Sequence, residues 1–174
     1  EAARRVLANL PRPCVALHPA ARWETKLWEV ERWRALAASL IGEGAGVVVT
    51  GSAADAPVAA AVCEGLRPAP RSLAGRLSLK GLTALLRSMD LMITVDSGPM
   101  HIAAAVGTPV VALFGPTDPA RTGPLGPGRV LRQSLPCSPC LQRQCRIAET
   151  RRCMRDLDVA DVLAAARDLL AAAR

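Results

Sequence analysis

The sequence predicts a single α/β domain, a Rossmann-like parallel sheet with helices on both faces. Three observations support this prediction. Four short runs are almost continuously apolar, as in strands that are buried on both faces. The segments between these runs carry apolar residues at helical spacing, the alternation typical of a parallel α/β fold. A chain of 174 residues with 51% hydrophobic content can bury one core without disulfide bonds.

The predicted strands and helices follow one another along the chain, and cap residues and glycines mark the ends of several helices. The predicted strands are Cys14–His18, Gly46–Thr50, Leu91–Val95 and Pro109–Phe114. The predicted helices are Glu1–Leu10, Val30–Ile41, Ala54–Glu64, Leu79–Met89, Pro99–Val106 and Val159–Ala173. Ser78 and Asp158 are suitable N-caps, and Gly42, Gly65 and Gly107 follow the ends of three helices. Residues 115–157 lose periodicity and are rich in Gly, Pro, Arg and Cys, so no regular element is predicted there.

The net charge of +7 is concentrated in one segment. Residues 121–155 contain eight Arg and one acidic residue, Glu149. Nucleic-acid-binding surfaces usually combine basic with aromatic side chains, but this chain has no Tyr, one Phe, and no Trp in the basic segment. We therefore expect no nucleic-acid partner. A phosphate-bearing ligand or an anionic membrane surface fits the charge equally well.

Neither a signal peptide nor a membrane span is predicted. The N-terminal residues lack the signal-peptide pattern, and no apolar stretch reaches the ~20 residues that a span needs. The chain begins with Glu1 rather than Met, so we expect it to be a processed or excised piece of a longer protein.

Polar and small residues follow each predicted strand, in residues 18–22, 51–55, 96–101 and 115–119. Because ligands of open parallel sheets bind outside the carboxyl ends of the strands, these residues predict a binding site at that edge. The loop from Asp96 to His101 is the most informative, since Gly98 lets a ligand approach the backbone and Pro99 suits the first position of a helix. The free N–H groups and positive dipole of that helix start favour a diphosphate. The alternative is structural, with Asp96 or Ser97 as an N-cap and His101 facing the core.

Lys26 is one of only two lysines in a chain with 20 arginines, and it lies in the loop after the first strand. A compact ammonium near Trp28 suits a phosphate or a departing oxyanion. The alternative is a solvated loop lysine with Trp28 packed in the core, and spacing alone does not decide between the two. A G-x-G-x-x-G after the first strand, a Walker A lysine and a G-x-S-x-G elbow are all absent, which argues against nicotinamide, P-loop and hydrolase chemistry.

At these residues the sequence resembles a known family. The strings DSGPMHIAAA at 96–105, GTP at 107–109 and LFGPTDP at 113–119 resemble the ADP-heptose:lipopolysaccharide heptosyltransferases, glycosyltransferase family 9. HP at 18–19, K-x-W at 26–28 and LSLKG at 77–81 agree with it. The resemblance is to the C-terminal half of the family and runs from about Val15 to the C-terminus.

The resemblance implies a GT-B fold, in which the C-terminal Rossmann-like domain binds the sugar-nucleotide donor and the N-terminal domain binds the acceptor. Residues 1–174 would then be a single donor-binding domain without the acceptor domain. The implied enzyme is an inverting glycosyltransferase that moves heptose from ADP-heptose to the lipopolysaccharide inner core. Its catalytic base is an Asp of the N-terminal domain, so this fragment alone is expected to be inactive.

The resemblance also implies roles for particular residues. Lys26 would contact the donor phosphate and heptose, and with the helix N-terminus it would stabilise the leaving group without a metal or other cofactor. Asp96 would hold sugar hydroxyls. The other implied contacts are Ser97 and Gly98 with the diphosphate, His101 at the same helix start, Leu77 near the adenine, and Asp55 as the nearest candidate for the ribose. Some members carry hydroxyl groups where this chain has Ala20 and Ala21, so we expect no side-chain bonds there.

The implied partners are ADP-heptose and, through the missing domain, the lipopolysaccharide core. The implied location is the cytoplasm, including the inner face of the inner membrane. Two alternatives are a stand-alone nucleotide-sugar-binding module and a GT-B nucleotide-sugar epimerase domain, although the HP…K-x-W and DSGPMHIAAA strings argue against an epimerase.

Cys137, Cys140, Cys145 and Cys153 form a C-x2-C-x4-C-x7-C cluster. Four thiolates at short spacing can close a tetrahedral zinc site, but only one C-x2-C pair is present. Free thiols, disulfides and a metal site all remain open, and the third would make the chain a metal or redox module. Cys14 and Cys63 are expected to be small core residues.

Overall fold

In the computed structural model, which describes residue 8 and residues 10–172, six parallel strands form one sheet. They are β1 (Cys14–His18), β2 (Gly46–Val49), β3 (Arg71–Ser72), β4 (Leu91–Val95), β5 (Val110–Phe114) and β6 (Gly128–Arg132). Their order in the sheet is β3-β2-β1-β4-β5-β6, and every neighbouring pair is parallel. Strands β1 to β3 are added toward one edge of the sheet and β4 to β6 toward the other. The switch in strand order lies between β1 and β4, the point at which doubly wound folds bind ligands. The predicted Rossmann-like fold class is confirmed.

Helices cover both faces of the sheet. They are α1 (Val30–Gly42), α2 (Ala56–Cys63), α3 (Leu79–Leu86), α4 (Gly98–Ala105), α5 (Pro119–Thr122), α6 (Arg152–Arg155) and α7 (Val159–Ala172), with 3-10 turns at Glu24–Lys26 and Ala53–Asp55. Alternate residues of β1 point to opposite faces. Val15 and Leu17 pack into the core beneath α1, α2 and α7, whereas Ala16 packs into the core beneath α3 and α4. Burial on both faces explains why the four central strands, β1, β2, β4 and β5, are almost entirely apolar.

The sequence prediction differs from the structure mainly after β5. The edge strand β6 lies within residues 115–157, where no regular element was predicted, because its residues are exposed or half-buried and show no buried run. α5, α6 and the two-residue β3 were also not predicted, since such short elements carry no periodicity. The predicted helix at residues 1–10 falls almost wholly outside the described residues, within which Leu10 is not helical. Ala173, the predicted end of the last helix, also lies outside them.

The described helices were also compared with the length and apolarity that a bilayer requires. Within residues 10–172, none is long and apolar enough to cross a membrane.

Candidate functional site

A cavity of about 1140 Å³ opens at the carboxyl ends of the strands. It is lined by the loops that follow β1, β2, β4 and β5 and by the first turns of α3 and α4. The structure brings together all seven residues that the sequence singled out, namely Lys26, Asp55, Leu77, Asp96, Ser97, Gly98 and His101. The loops that follow these strands therefore meet at one edge of the sheet, as the sequence predicts.

Lys26 and Asp96 form an ion pair within this cavity. The Nζ atom of Lys26 lies 2.7 Å from Oδ2 of Asp96, and the two side chains are only 16% and 7% exposed. The hydroxyl of Thr117, which follows β5, donates to the same Oδ2 at 2.6 Å. The alternative of a solvated lysine is therefore wrong. An ammonium has three N–H donors, so the pair leaves Lys26 with donors to offer a ligand.

The aromatic partner of Lys26 is Trp23 rather than Trp28. Nζ lies 4.7 Å from the centre of the Trp23 ring, within the range of a cation–π contact. Trp28 is buried, donates its indole N–H to the carbonyl of Leu157 and packs edge-on against Trp33. The packing interpretation of Trp28 is thus confirmed. The 3-10 turn Glu24–Lys26 brings Trp23 back over the lysine, and the K-x-W spacing gives no sign of this turn.

The start of α4 has the features of an anion site. Ser97 occupies the N-cap position, but its side chain caps no backbone N–H. Its hydroxyl lies 3.1 Å from that of Thr94 instead. His101 is exposed and lines the cavity, so the alternative of a core-facing histidine is wrong. Without a side-chain cap, the first-turn N–H groups and the positive end of the helix dipole remain available to a negatively charged ligand.

We expect Gly98→Ala to weaken pyrophosphate binding while leaving thermal stability unchanged or higher. A Cβ atom added at Gly98 would meet no atom within 4 Å, and Ala is the better helix former. The methyl group would nevertheless occupy space beside the N–H groups, and losing one hydrogen bond costs about 1 kcal/mol. Calorimetric titration and melting curves would measure both effects. Gly42→Ala is the matched control, since that position is equally open but does not line the cavity. Equal pyrophosphate affinities for the two variants would contradict the anion site.

One end of the cavity is apolar. Leu77, Leu79 and Leu82, around the start of α3, line it there. Ser78 caps α3 as predicted, since its Oγ accepts from the N–H of Gly81 at 3.2 Å. The sequence pointed to Leu77 only, but the helical spacing of Leu79 and Leu82 could have extended that prediction. Such an end suits the flat, weakly polar face of a nucleobase.

Asp55 lines the cavity but also has a structural role. Its Oδ2 accepts from the backbone N–H of Ser52 at 2.7 Å and from the Ser52 hydroxyl at 2.6 Å. The first of these bonds, from the N-cap backbone N–H to the Asp55 side chain, is part of the capping box at the start of the 3-10 turn Ala53–Asp55. Within the described residues Oδ1 has no such partner, so a ligand contact at Asp55 is compatible with the cap.

The basic segment is tied to the body of the domain. Among its arginines, Arg129 pairs with Asp168, Arg155 with Glu29, and Arg152 with both Glu149 and Asp156. Arg121 lines the cavity, where Lys26 is also placed. With Arg132, which lies 3.9 Å from Asp118, half of the segment's eight arginines form ion pairs, and the positive charge of Arg121 in the cavity favours an anionic ligand.

The cysteine cluster lies beside the site. Its four thiols are free and line a second cavity of about 20 Å³, together with Thr25 from the turn that carries Lys26. Burial, followed by the neighbouring thiols, raises the pKa of Cys153 to about 11. The backbone N–H groups of Arg151 and Ile147 lower the pKa of Cys145. In the part of the chain that the structure describes, no three His, Cys, Asp or Glu side chains are grouped to hold a metal ion.

The other two cysteines are core residues to different degrees. Cys14 is fully buried, as predicted, and Cys63 is half-buried at the margin of the core.

Comparison with known proteins identifies related sequences and structures. The profile of glycosyltransferase family 9 (heptosyltransferase) matches residues 1–150. Lipopolysaccharide heptosyltransferase 1 of Pseudomonas aeruginosa is 38% identical over 130 residues, which are 74% of this chain and 36% of that protein. The structure of E. coli ADP-heptose lps heptosyltransferase II has a TM-score of 0.80 and 31% identity, covering 92% of this chain and 47% of that one. The structure of E. coli heptosyltransferase WaaC with ADP-2-deoxy-2-fluoro heptose has a TM-score of 0.62 and 28% identity, and the match covers 76% of this chain and 41% of that one.

The matched region spans only part of each relative, 36% of the curated protein and 47% of the first solved chain. The structural match therefore covers the parallel sheet and its helices, and the remaining residues of each relative lie outside the matched region.

Proposed function

Since the chain belongs to glycosyltransferase family 9, the heptosyltransferases, we propose that it is the domain that binds the sugar-nucleotide donor. The whole enzyme would transfer heptose from ADP-heptose to the lipopolysaccharide core. The part of the relatives outside the match would supply the acceptor site and the catalytic base. Family membership favours this transfer over the epimerase alternative. Because the acceptor is part of a lipid, we also propose that the enzyme works at the cytoplasmic face of the inner membrane.

The observation that carries the proposal is the position of Lys26. Its ammonium lies in the cavity between the carboxylate of Asp96 and the ring of Trp23, on the side of the sheet where α4 begins. A diphosphate placed there would meet a cation with unused donors and the uncapped start of a helix. Both are held in place by the fold before the ligand arrives, which lowers the cost of binding an ion of high charge.

The donor would lie along the cavity in one direction. The adenine would contact the apolar end at Leu77, and the ribose would lie near Asp55. The diphosphate would lie between Lys26 and the first turn of α4, and the sugar near Asp96. Oδ2 of Asp96 already receives Lys26 and Thr117, whereas Oδ1 has no side-chain partner within the described residues, so Oδ1 can accept a sugar hydroxyl.

In the reaction, an acceptor hydroxyl would attack the anomeric carbon as the bond to the diphosphate breaks. Negative charge then builds on the departing phosphate oxygen. Lys26 and the N–H groups of α4 would stabilise that charge, which gives this half of the enzyme its catalytic role. The acceptor proton would go to a base outside the matched region. No step in this scheme requires a metal ion at the site.

Nucleotide selectivity tests the proposal. We expect ADP to raise the melting temperature of the chain more than UDP or GDP does, because the apolar end of the cavity would hold the adenine. The dissociation constant for ADP should be on the order of 10–1,000 μM, since a single domain cannot enclose the donor as two domains would. Thermal-shift and calorimetric measurements with the three nucleotides at equal concentration check both expectations. Equal shifts for all three, or no shift at all, would contradict the assignment.

A further inference from the structure

His18 is a buried polar side chain that the proposed function leaves unused. It ends β1, is 6% exposed and lines the cavity. Its Nδ1 lies 3.0 Å from the hydroxyl oxygen of Thr50, the residue that follows β2. That hydroxyl in turn donates to the carbonyl of Leu17 at 3.2 Å. The imidazole is therefore held in a fixed orientation, toward β2 and away from β4.

The partners of Thr50 are the basis for assigning the proton to one of the two ring nitrogens of His18. A threonine hydroxyl has one hydrogen, and the Leu17 carbonyl can only accept, so that hydrogen goes to Leu17. With the hydroxyl hydrogen donated to Leu17, we assign the imidazole proton to Nδ1, which donates to Thr50, and in this tautomer Nε2 is an acceptor in the neutral ring. Burial lowers the pKa of His18 to about 4, so the ring is neutral at physiological pH.

Nε2 faces the cavity. It has no hydrogen-bond partner within the described residues, where the fully buried side-chain atoms lacking a partner are Glu29 Oε2 and Trp33 Nε1. Nε2 is therefore accessible, and the cavity is where His18 reaches open space. A lone-pair acceptor cannot bond to a phosphate oxygen, which has no hydrogen to give at neutral pH. Its partner must carry a hydroxyl or an amino group.

We propose that Nε2 of His18 accepts a hydrogen bond from a ribose hydroxyl of the donor nucleotide and thereby favours ribonucleotides over deoxyribonucleotides. The inference rests on the proposed function. The ribose is the expected partner because the imidazole lies on the β2 side of β1. The loop after β2 carries Asp55, beside which the proposed function places the ribose. The adenine amino group would lie at the apolar end, and the sugar would lie beside Asp96 after β4. His18 is a specificity-determining residue in this account.

The test is a double-mutant cycle between His18→Asn and the ribose hydroxyls. The Asn amide N–H can still donate to Thr50, so the variant keeps the tie to β2, and the shorter side chain no longer places an acceptor at the position of Nε2. We expect His18→Asn to weaken ADP about three- to tenfold, the usual range for one hydrogen bond. One of the two analogues, 2′-deoxy-ADP or 3′-deoxy-ADP, should bind the unaltered chain as weakly as ADP binds the variant. The variant should bind that analogue no more weakly than it binds ADP. His101→Asn is the matched control, and its effect should be the same for all three nucleotides.

Equal weakening of ADP and both deoxy analogues by His18→Asn, or no weakening, would overturn the inference while leaving the proposed function intact. If the unaltered chain binds no ADP, both are overturned together. Nitrogen-15 NMR of the unaltered chain gives a test that does not depend on the variant, and with two histidines the assignment is simple. The expected result is a proton on Nδ1 of His18 and an Nε2 signal that shifts on ADP saturation. A proton on Nε2 would overturn the inference.

Discussion

Replacement of Lys26 by Met is expected to weaken ADP binding by about 1–3 kcal/mol, the value of a charge-assisted hydrogen bond. Met keeps the length and apolar character of the side chain and removes the ammonium that would meet the diphosphate. The variant should also be less stable, because the change leaves the carboxylate of Asp96 buried with only Thr117 as a partner. Removing one partner of a buried ion pair typically costs about 3–5 kcal/mol. Calorimetric titration with ADP and melting curves would measure the two effects separately.

Lys80→Met is the matched control for this prediction. Lys80 is the other lysine of the chain, is exposed at the start of α3 and does not line the cavity. Its replacement changes the net charge by the same amount, so it should leave ADP affinity unchanged. If the two lysine variants bind ADP equally well, the affinity reflects overall charge and not a contact with Lys26. The double variant Lys26→Met with Asp96→Asn avoids the unpaired carboxylate and should still bind ADP weakly.

Replacement of Asp96 by Asn is expected to have the second large effect, on a different ligand. The carboxylate would accept hydroxyls of the sugar, so its loss should weaken ADP-heptose by about 1–3 kcal/mol. ADP itself has no sugar at that position and should bind as before or more tightly, since a negative charge near the diphosphate is removed. Titrations of the variant with ADP and with ADP-heptose would measure the difference. Loss of ADP affinity as large as that of Lys26→Met would contradict the separate roles of the two residues.

The structural alternative for Asp96 predicts a different result. A helix cap would contribute about 0.5–2 kcal/mol to stability and nothing to binding. In the structure Ser97 holds the N-cap position, and the Asp96 carboxylate receives Lys26 and Thr117. Asp90→Asn controls for destabilisation, since Asp90, like Asp96, pairs with a cation and accepts a second hydrogen bond, here from Arg12 and the backbone N–H of Cys14, but does not line the cavity. That variant should melt at a lower temperature and bind both ligands normally.

The sequence was most informative where burial dictates residue type. The four central strands are almost entirely apolar because helices cover both of their faces. The loop that begins at Asp96 is recognisable because Gly and Pro stand where a strand is followed by a helix. The bond between Thr117 and Asp96 was not predicted, because it joins residues from two different loops that only the sheet brings together. Trp23 was missed in favour of Trp28, because the 3-10 turn between them determines which ring reaches Lys26. The hydrogen bond of His18 was not predicted either, because its partner is the hydroxyl of Thr50, 32 residues away in the chain.

The account depends most on where a nucleotide diphosphate binds in this cavity, and a crystal structure of the chain with ADP tests this most directly. The predicted result places the diphosphate within hydrogen-bonding distance of Lys26 Nζ and the first-turn N–H groups of α4, with the adenine against Leu77. A nucleotide bound elsewhere on the domain, or bound in the cavity with its phosphates turned away from Lys26, would contradict the account.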